Sequence, residues 1–265
     1  MLCESTGDEQ CFWKWERRRN RRPQILYYRR SLFKSRHPYR FRCFRSYVEV
    51  MVKECHIIIS FSLIDIKDVL GDLITQYFPW ILKKLADKIS GLGYLVVIPD
   101  FFFGDCIHIT SPPEVRANWL NNHPPEKGCE NARKIIAELK SRGVYAVGAA
   151  GFCWGGMMVV KLAKYYDIKA AVILHPGRLK DIDVKEVKVP IAILGGELDQ
   201  LCPQEEVRHY GEILSENQEV ESFVKIFQGV GHGWAARYSE DDESAVRSAE
   251  EAHRDMLNWL TKYVT

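Results

Sequence analysis

The stretch Gly151-Phe152-Cys153-Trp154-Gly155 decides the fold expected of this chain. It lies between an apolar run at 144–150 and a helical pattern at 156–166, which predicts a strand, a sharp turn and a helix. A nucleophile elbow has this context, because its strained turn lifts the nucleophile clear of the sheet. The glycines leave space where strand and helix approach closely. Cys153 is therefore a candidate nucleophile; the alternative is a small buried cysteine in a turn.

Two later segments place a polar residue just after a predicted strand. Asp199 closes Gly195-Gly196-Glu197-Leu198-Asp199, which follows an apolar run at 191–194. His232 lies in Gly229-Val230-Gly231-His232-Gly233, which follows a strand pattern at 221–227. The order nucleophile, acid and histidine is that of the α/β-hydrolase triad. The sequence thus predicts a triad of Cys153, Asp199 and His232.

Composition favours one α/β domain. The chain has 265 residues, of which 46% are hydrophobic and 27% are charged, enough for one sizeable core. No apolar run reaches the roughly 18 residues that a membrane span requires, so no membrane partner is expected. The eight cysteines contain no C-x-x-C pair. This argues against a zinc ribbon or a redox pair. Because no secretory signal is recognisable, we expect free thiols, a reducing compartment and a cytoplasmic location.

Residues 1–55 differ from the rest. Between positions 10 and 46 there are 13 Lys and Arg and one acid, Glu16, whereas the whole chain has a net charge of +2. We expect 1–55 to be a basic, Arg-rich and poorly ordered extension before an α/β-hydrolase-like domain at 56–265. Two alternatives are an organelle-targeting segment and a nucleic-acid-binding arm, since aromatic residues are interleaved with the arginines. A stretch under no selection as protein is also possible.

From position 56 onward, apolar runs alternate with amphipathic segments. This alternation predicts a mostly parallel, doubly wound sheet flanked by helices, with its earliest strands in doubt. His175-Pro176-Gly177 is predicted to be a turn. Predicted strands cover 56–66, 94–99, 144–150, 168–174, 189–194 and 221–227. Predicted helices cover 79–90, 112–120, 130–142, 156–166, 203–214 and 243–263.

The chain from about Leu82 to Thr265 resembles the dienelactone hydrolase family of α/β-hydrolases, particularly its plant-like members. The motifs that carry the resemblance are Lys84-Leu85-Ala86-Asp87-Lys88, Val97-Ile98-Pro99-Asp100-Phe101-Phe102, Gly151-Phe152-Cys153-Trp154-Gly155-Gly156, Gly195-Gly196-Glu197-Leu198-Asp199 and Gly231-His232-Gly233-Trp234. The resemblance implies hydrolysis of small esters or lactones, of the dienelactone type, through a Cys-Asp-His triad.

Each residue type suits one step of that chemistry. A thiolate at Cys153 would attack the carbonyl, and the dipole of the following helix favours the thiolate. His232 would take and return the proton, while Asp199 orients its ring. The backbone N–H of Trp154 is one expected oxyanion donor. The expected partner is a small ester or lactone, and no metal or cofactor is required.

Substrate contacts are predicted at three positions. The resemblance suggests that a basic residue shortly after the histidine binds a substrate carboxylate, and Arg237 fits by position; the alternative is an exposed arginine. Phe103 and Trp234 could line a small apolar pocket, which Phe102 could share, with core packing as the alternative for Phe102. His175 lies at a predicted strand end and could mimic a catalytic base, although its Pro-Gly neighbours favour a turn residue.

The chain departs from the family pattern at the loop that should supply a second oxyanion donor. The nearest match is Asp68-Val69-Leu70-Gly71, about five residues too far from Lys84. Loss of one such donor costs roughly 100- to 1,000-fold in rate. A catalytically impaired protein whose basic arm binds an anionic partner is therefore the alternative function.

Overall fold

The computed structural model describes residues 24–28, 56–60, 84–102, 105, 107 and 111–265, the first two segments by their backbone. The strands are β1 (Gln24–Tyr28), β2 (His56–Ser60), β3 (Leu95–Asp100), β4 (Val147–Cys153), β5 (Ala170–Pro176), β6 (Ile191–Gly196) and β7 (Ser222–Phe227). The helices are α1 (84–90), α2 (Pro113–Asn122), α3 (Pro125–Ser141), α4 (Trp154–Leu162), α5 (Asp181–Lys185), α6 (Gln204–Ser215) and α7 (Glu243–Tyr263).

The seven strands form one sheet in the order β1-β3-β2-β4-β5-β6-β7. β1 pairs antiparallel with β3, and every other pairing is parallel. The strand β4, which ends at the candidate nucleophile Cys153, is therefore central, and β5 separates it from β6 and β7. The prediction of a mostly parallel sheet flanked by helices is confirmed.

Two apolar layers cover the sheet. β4, β5 and β6 are buried along their whole length, as expected for strands covered on both faces. One layer packs α2 to α6 on the sheet, and the other packs α1 and α7 on the opposite face. Asp242 caps the start of α7, and its carboxylate accepts the N–H groups of Ser244 and Ala245.

Three local differences from the predicted elements have physical causes. α3 begins at Pro125, because proline suits the first turn of a helix; the sequence pattern had indicated 130 as its start. β5 extends to Pro176, so the predicted turn at His175 lies inside the strand. β1 was not among the predicted elements, since its sequence lies among the arginines. The proposed division at 55/56 stays a prediction.

Among the described residues, every helix is either too short or too polar to span a bilayer.

Candidate active site

Cys153 lies at a strained turn between β4 and α4. Its backbone has φ 51° and ψ −114°, and Trp154 is the first residue of the helix. A positive φ costs a non-glycine residue on the order of 1–3 kcal/mol and is typical of functional turns. Gly151 makes the close approach possible, because a Cβ there would lie 2.2 Å from the carbonyl oxygen of Gly155. The local geometry is that of a nucleophile elbow.

Asp199 and His232 form a buried pair. Asp199 Oδ2 lies 2.8 Å from His232 Nδ1, and the Asp199 side chain is 1% exposed. The other carboxylate oxygen accepts the backbone N–H groups of Leu201 at 2.8 Å and Cys202 at 3.1 Å. These bonds fix the carboxylate, which in turn fixes Nδ1 of the imidazole. Nε2 of His232 is buried and has no hydrogen-bond partner among the described residues.

The end of β5 connects the elbow to this pair. Cys153 lies opposite Pro176 in the β4–β5 register, and Gly177 donates its N–H to the carbonyl of Cys153 at 3.2 Å. The ring of His175, which precedes Pro176, contacts the ring of His232 at 5.2 Å between centroids. The candidate nucleophile, acid and histidine are thus gathered at the carboxyl edge of the sheet.

Trp154 is held on the α2–α3 side. Its indole Nε1 donates to the carbonyl of His123 at 2.8 Å, and its ring meets Phe102 edge-on at 4.7 Å. Gly128 leaves room for the indole, because a Cβ there would lie 2.4 Å from the ring. A recess beside the indole is lined by Phe101, His123, Pro124, Lys127, Gly128 and Trp154. The backbone N–H of Trp154 belongs to the first turn of α4, whose N–H groups have no partner within the helix.

Two side chains donate hydrogen bonds to backbone carbonyls of the loop that carries His232. Arg237 donates from Nη2 to the carbonyl of His232 at 2.9 Å. Gly233 has φ 86°, and a Cβ there would lie 1.9 Å from the Arg237 guanidinium, so the guanidinium lies directly over the loop. His253, on α7, donates from Nε2 to the carbonyl of Ala235 at 2.8 Å. Nothing in the sequence pattern had pointed to His253.

The predicted substrate contacts have mixed surroundings. Arg237 engages the backbone of the His232 loop, and its binding of a substrate carboxylate stays a prediction. Trp234 is 7% exposed and packs on Phe227 at 4.4 Å between ring centroids, within the α1–α7 layer. Phe103 and Asp68 lie outside the described residues, as does most of the basic arm.

Two other described thiols are buried away from solvent. Burial raises the pKa of Cys129 to about 11. Burial, together with the charge of Asp199, raises the pKa of Cys202 to about 12. Both thiols are protonated near neutral pH and therefore poor nucleophiles. The described residues include no cluster of three His, Cys, Asp or Glu side chains suited to hold a metal ion.

A sequence model described as "Dienelactone hydrolase family" matches residues 78–264. The carboxymethylenebutenolidase homolog of Homo sapiens is 33% identical over 206 residues, which cover 72% of this chain and 81% of that protein. A Zea mays protein named endo-1,3;1,4-beta-D-glucanase is 38% identical over 152 residues. Those residues are 57% of this chain and 49% of the maize protein, so the chain spans about half the length of that relative.

Solved structures share the fold. A dienelactone hydrolase structure from Klebsiella pneumoniae superposes with a TM-score of 0.69 at 15% identity, covering 97% of this chain and 100% of that one. A cold-adapted esterase from an Arctic intertidal metagenomic library gives a TM-score of 0.63 at 11% identity, covering 99% and 100%. At these identities the likeness concerns the fold, and the predicted α/β-hydrolase fold is confirmed.

Proposed function

We propose that this chain, which belongs to the dienelactone hydrolase family and is an ester hydrolase, cleaves small esters or lactones with Cys153 as nucleophile. The resemblance predicted from the motifs is confirmed by the family match. The Cys-Asp-His triad and the substrate class are the proposal. The observation that carries it is the buried pair of Asp199 and His232, in which Oδ2 lies 2.8 Å from Nδ1. Nε2 of His232 has no hydrogen-bond partner among the described residues.

The proposed reaction is a two-step acyl transfer. His232 accepts the thiol proton of Cys153 at Nε2, and the thiolate attacks the carbonyl carbon. The tetrahedral oxyanion accepts the N–H of Trp154, then collapses with cleavage of the C–O bond, and the leaving oxygen takes the proton from His232. In a lactone, the alcohol formed stays attached to the acyl group. A water molecule, deprotonated by His232, then hydrolyses the thioester and regenerates the thiol.

Asp199 would stabilise the imidazolium that forms in each step. Its carboxylate already accepts three hydrogen bonds, two of them from backbone N–H groups, so it need not reorganise during the reaction. Phe103, Trp234 and Arg237 remain the proposed substrate contacts, with Arg237 proposed to bind a substrate carboxylate.

The test is hydrolysis of an activated aryl ester and of a dienelactone by the full-length chain. We expect Cys153→Ala to lower turnover by roughly 10³-fold or more with the circular dichroism spectrum retained. Cys129→Ala, which removes a buried thiol outside the site, should keep turnover within about twofold. Mass spectrometry of quenched reactions should show the acyl group on the peptide that contains Cys153.

Two results would contradict the proposal. Full turnover in Cys153→Ala would exclude the thiol nucleophile. A folded wild type without esterase activity would favour the alternative, a protein that binds an anionic partner through its basic arm; salt-sensitive binding of single-stranded RNA, lost on removal of residues 1–46, would support that role. Because the maize relative carries a glucanase name, release of reducing sugar from mixed-linkage β-glucan should be assayed in parallel.

The proposed compartment is the cytoplasm, where a thiol nucleophile stays reduced. Fluorescence microscopy of the full-length chain, compared with a chain that lacks residues 1–55, distinguishes this location from an organelle.

A further inference from the structure

His175 occupies an irregularity in the sheet at the edge of the site. The β4–β5 register pairs Phe152 with Leu174 and then Cys153 with Pro176, so His175 is the extra residue of a bulge. Its φ is 34°, and Cys153 and His175 are the two non-glycine residues of positive φ in the described part of the chain. Bulges next to active sites commonly redirect a side chain.

The redirected side chain is buried and unpaired. His175 is 1% exposed, and within the described residues neither of its ring nitrogens has a hydrogen-bond partner. Burial, followed by the nearby charges of His232 and Arg237, lowers its pKa well below the usual value. Within the described residues, the neutral ring of His175 therefore makes packing contacts and no hydrogen bonds.

The ring of His175 packs against two other rings. It contacts Phe152 at 5.6 Å between centroids and His232 at 5.2 Å, with an interplanar angle of 71° to His232. Edge-to-face packing of this kind is a favoured arrangement for aromatic rings. The bond to Asp199 fixes His232 at one atom, Nδ1. A second contact on the ring is required to fix the plane of the imidazole, and His175 provides it.

We propose that His175 is a positioning residue, whose ring holds the imidazole of His232 in the plane that directs Nε2 toward the elbow. The role belongs to the ring and not to its nitrogens, since both nitrogens lack partners among the described residues. This inference rests on the proposed function, because it assigns His232 the task of moving the proton. A misplacement of the base by about 1 Å costs on the order of 100-fold in rate.

Three substitutions separate the ring from the nitrogens. His175→Phe keeps a ring, His175→Asn keeps a polar amide, and His175→Ala removes both. We expect kcat for the aryl ester to fall about 10- to 100-fold in the Ala and Asn variants, with KM within about twofold. The Phe variant should recover to within about threefold of the wild type. Leu174→Ala, a truncation of the buried neighbour on β5, should lower stability but leave kcat within about threefold.

A second readout does not depend on hydrolysis. The proton shared by His232 Nδ1 and Asp199 should give a downfield NMR resonance, assigned by its loss in His232→Gln. We expect this resonance to persist in His175→Phe and to broaden or vanish in His175→Ala and His175→Asn. If His175→Ala fails to fold, the kcat values and resonances of His175→Phe and His175→Asn test the proposal without it.

The outcomes separate the two proposals. Wild-type kcat and an unchanged resonance in the Ala and Asn variants would overturn the role of His175 and leave the triad intact. Recovery by Asn and not by Phe would overturn it as well, since the nitrogens would then carry the effect. Retention of activity in Cys153→Ala would overturn the proposed function, while the NMR resonance would still report on the contact between His175 and His232.

Discussion

The carboxylate of Asp199 divides its two oxygens between the backbone and His232: Oδ1 accepts the N–H groups of Leu201 and Cys202, and Oδ2 pairs with His232 Nδ1 at 2.8 Å. The backbone bonds set the orientation of the carboxylate, and the carboxylate sets the tautomer of the imidazole, with the proton on Nδ1 and the lone pair on Nε2. The proposed triad therefore depends on the loop that follows β6, because two backbone N–H groups of this loop hold the carboxylate.

Asp199→Asn should lower kcat roughly 10³-fold or more, because an amide removes the charge that stabilises the imidazolium and can present an N–H to Nδ1. The measurement is steady-state ester hydrolysis at pH 7.5. A loss below tenfold would mean that His232 does not work through Asp199.

Asp183→Asn is the matched control, because Asp183 is the other aspartate buried in the described part of the chain. Its carboxylate oxygens form ion pairs with the Nζ atoms of Lys161, at 2.5 Å, and Lys164, at 2.6 Å. Burial opposes its ionisation, but these lysines outweigh burial and lower the pKa of Asp183. Each lysine keeps a second carboxylate partner, Glu126 for Lys161 at 2.9 Å and Glu186 for Lys164 at 2.7 Å. Removing the charge should therefore cost about 1.5–3 kcal/mol of unfolding free energy, the range for hydrogen bonds to charged groups. Turnover of the folded variant should stay within about twofold.

Cys153 should be alkylated at least about tenfold faster than Cys129 or Cys202 at pH 7. Burial raises the pKa of the latter two thiols, whereas Cys153 lies at the start of α4, whose dipole favours a thiolate. The measurement is iodoacetamide labelling followed by peptide mass spectrometry, with denatured protein as the reference for equal reactivity. Labelling of Cys202 as fast as Cys153 would contradict the assignment of the nucleophile.

His253 should make stability depend on pH between neutrality and about pH 4. Burial, followed by the charge of Lys88, lowers its pKa to about 4, and Nε2 donates to the carbonyl of Ala235. The unfolded chain binds a proton at about pH 6.5. The folded form therefore loses stability as the pH falls from about 6.5 toward 4, by about 2 kcal/mol between pH 7 and pH 5.

His253→Gln tests this dependence, since the amide can still donate to Ala235 but does not titrate. Urea unfolding at pH 7 and pH 5 should show a smaller difference in unfolding free energy than in the wild type, by about 2 kcal/mol. An equal difference in both proteins would assign the pH dependence to other groups, of which buried His175 is the first candidate.

Gly151→Ala should collapse the elbow. The new Cβ would lie 2.2 Å from the backbone oxygen of Gly155, and a backbone atom cannot move aside as a side chain can. We expect loss of soluble, folded protein, or a destabilisation of several kcal/mol with negligible esterase activity.

Gly211→Ala is the comparison for that variant. Gly211 lies in α6, and a Cβ there would contact the side chain of Val224 at an ordinary distance of 3.5 Å or more. Alanine is favoured over glycine in helices by about 1 kcal/mol, so the melting temperature should rise or stay constant with activity retained. A stable and active Gly151→Ala protein would rule out the close approach of β4 and α4.

Most of the fold could be predicted because its signals are local. α7 was predicted at its observed bounds, since an apolar stripe and the Asp242 cap mark them. The strands β3 to β7 were also predicted, because each contains a short run rich in apolar residues. β1 was not predicted, because the short stretch Gln24–Tyr28 lies between runs of arginines and pairs with a strand about 70 residues later in the chain. The start of α3 was misplaced because prolines suit the beginning of a helix as well as its interruption.

The site divides in the same way. The positions of Cys153, Asp199 and His232 at strand ends followed from motif order. The bulge at His175 did not, because His-Pro-Gly is a turn sequence and only the register with β4 shows otherwise. The bond from His253 to Ala235 joins residues 18 positions apart across a packed interface, and no periodicity signals such a contact.

β5 lies between β4, which carries the proposed nucleophile, and the strands β6 and β7. This order has a consequence for protein engineering. Neighbouring strands lie about 4.8 Å apart, so the loop after β7 must reach back over the end of β5 to approach β4. A loop grafted from a relative after β6 or β7 would therefore have to fit the distance by which the end of β5 projects from the carboxyl edge of the sheet. Libraries that randomise the acid or histidine loop alone should yield few active clones, and those that vary positions 175–177 together with 230–237 should yield more.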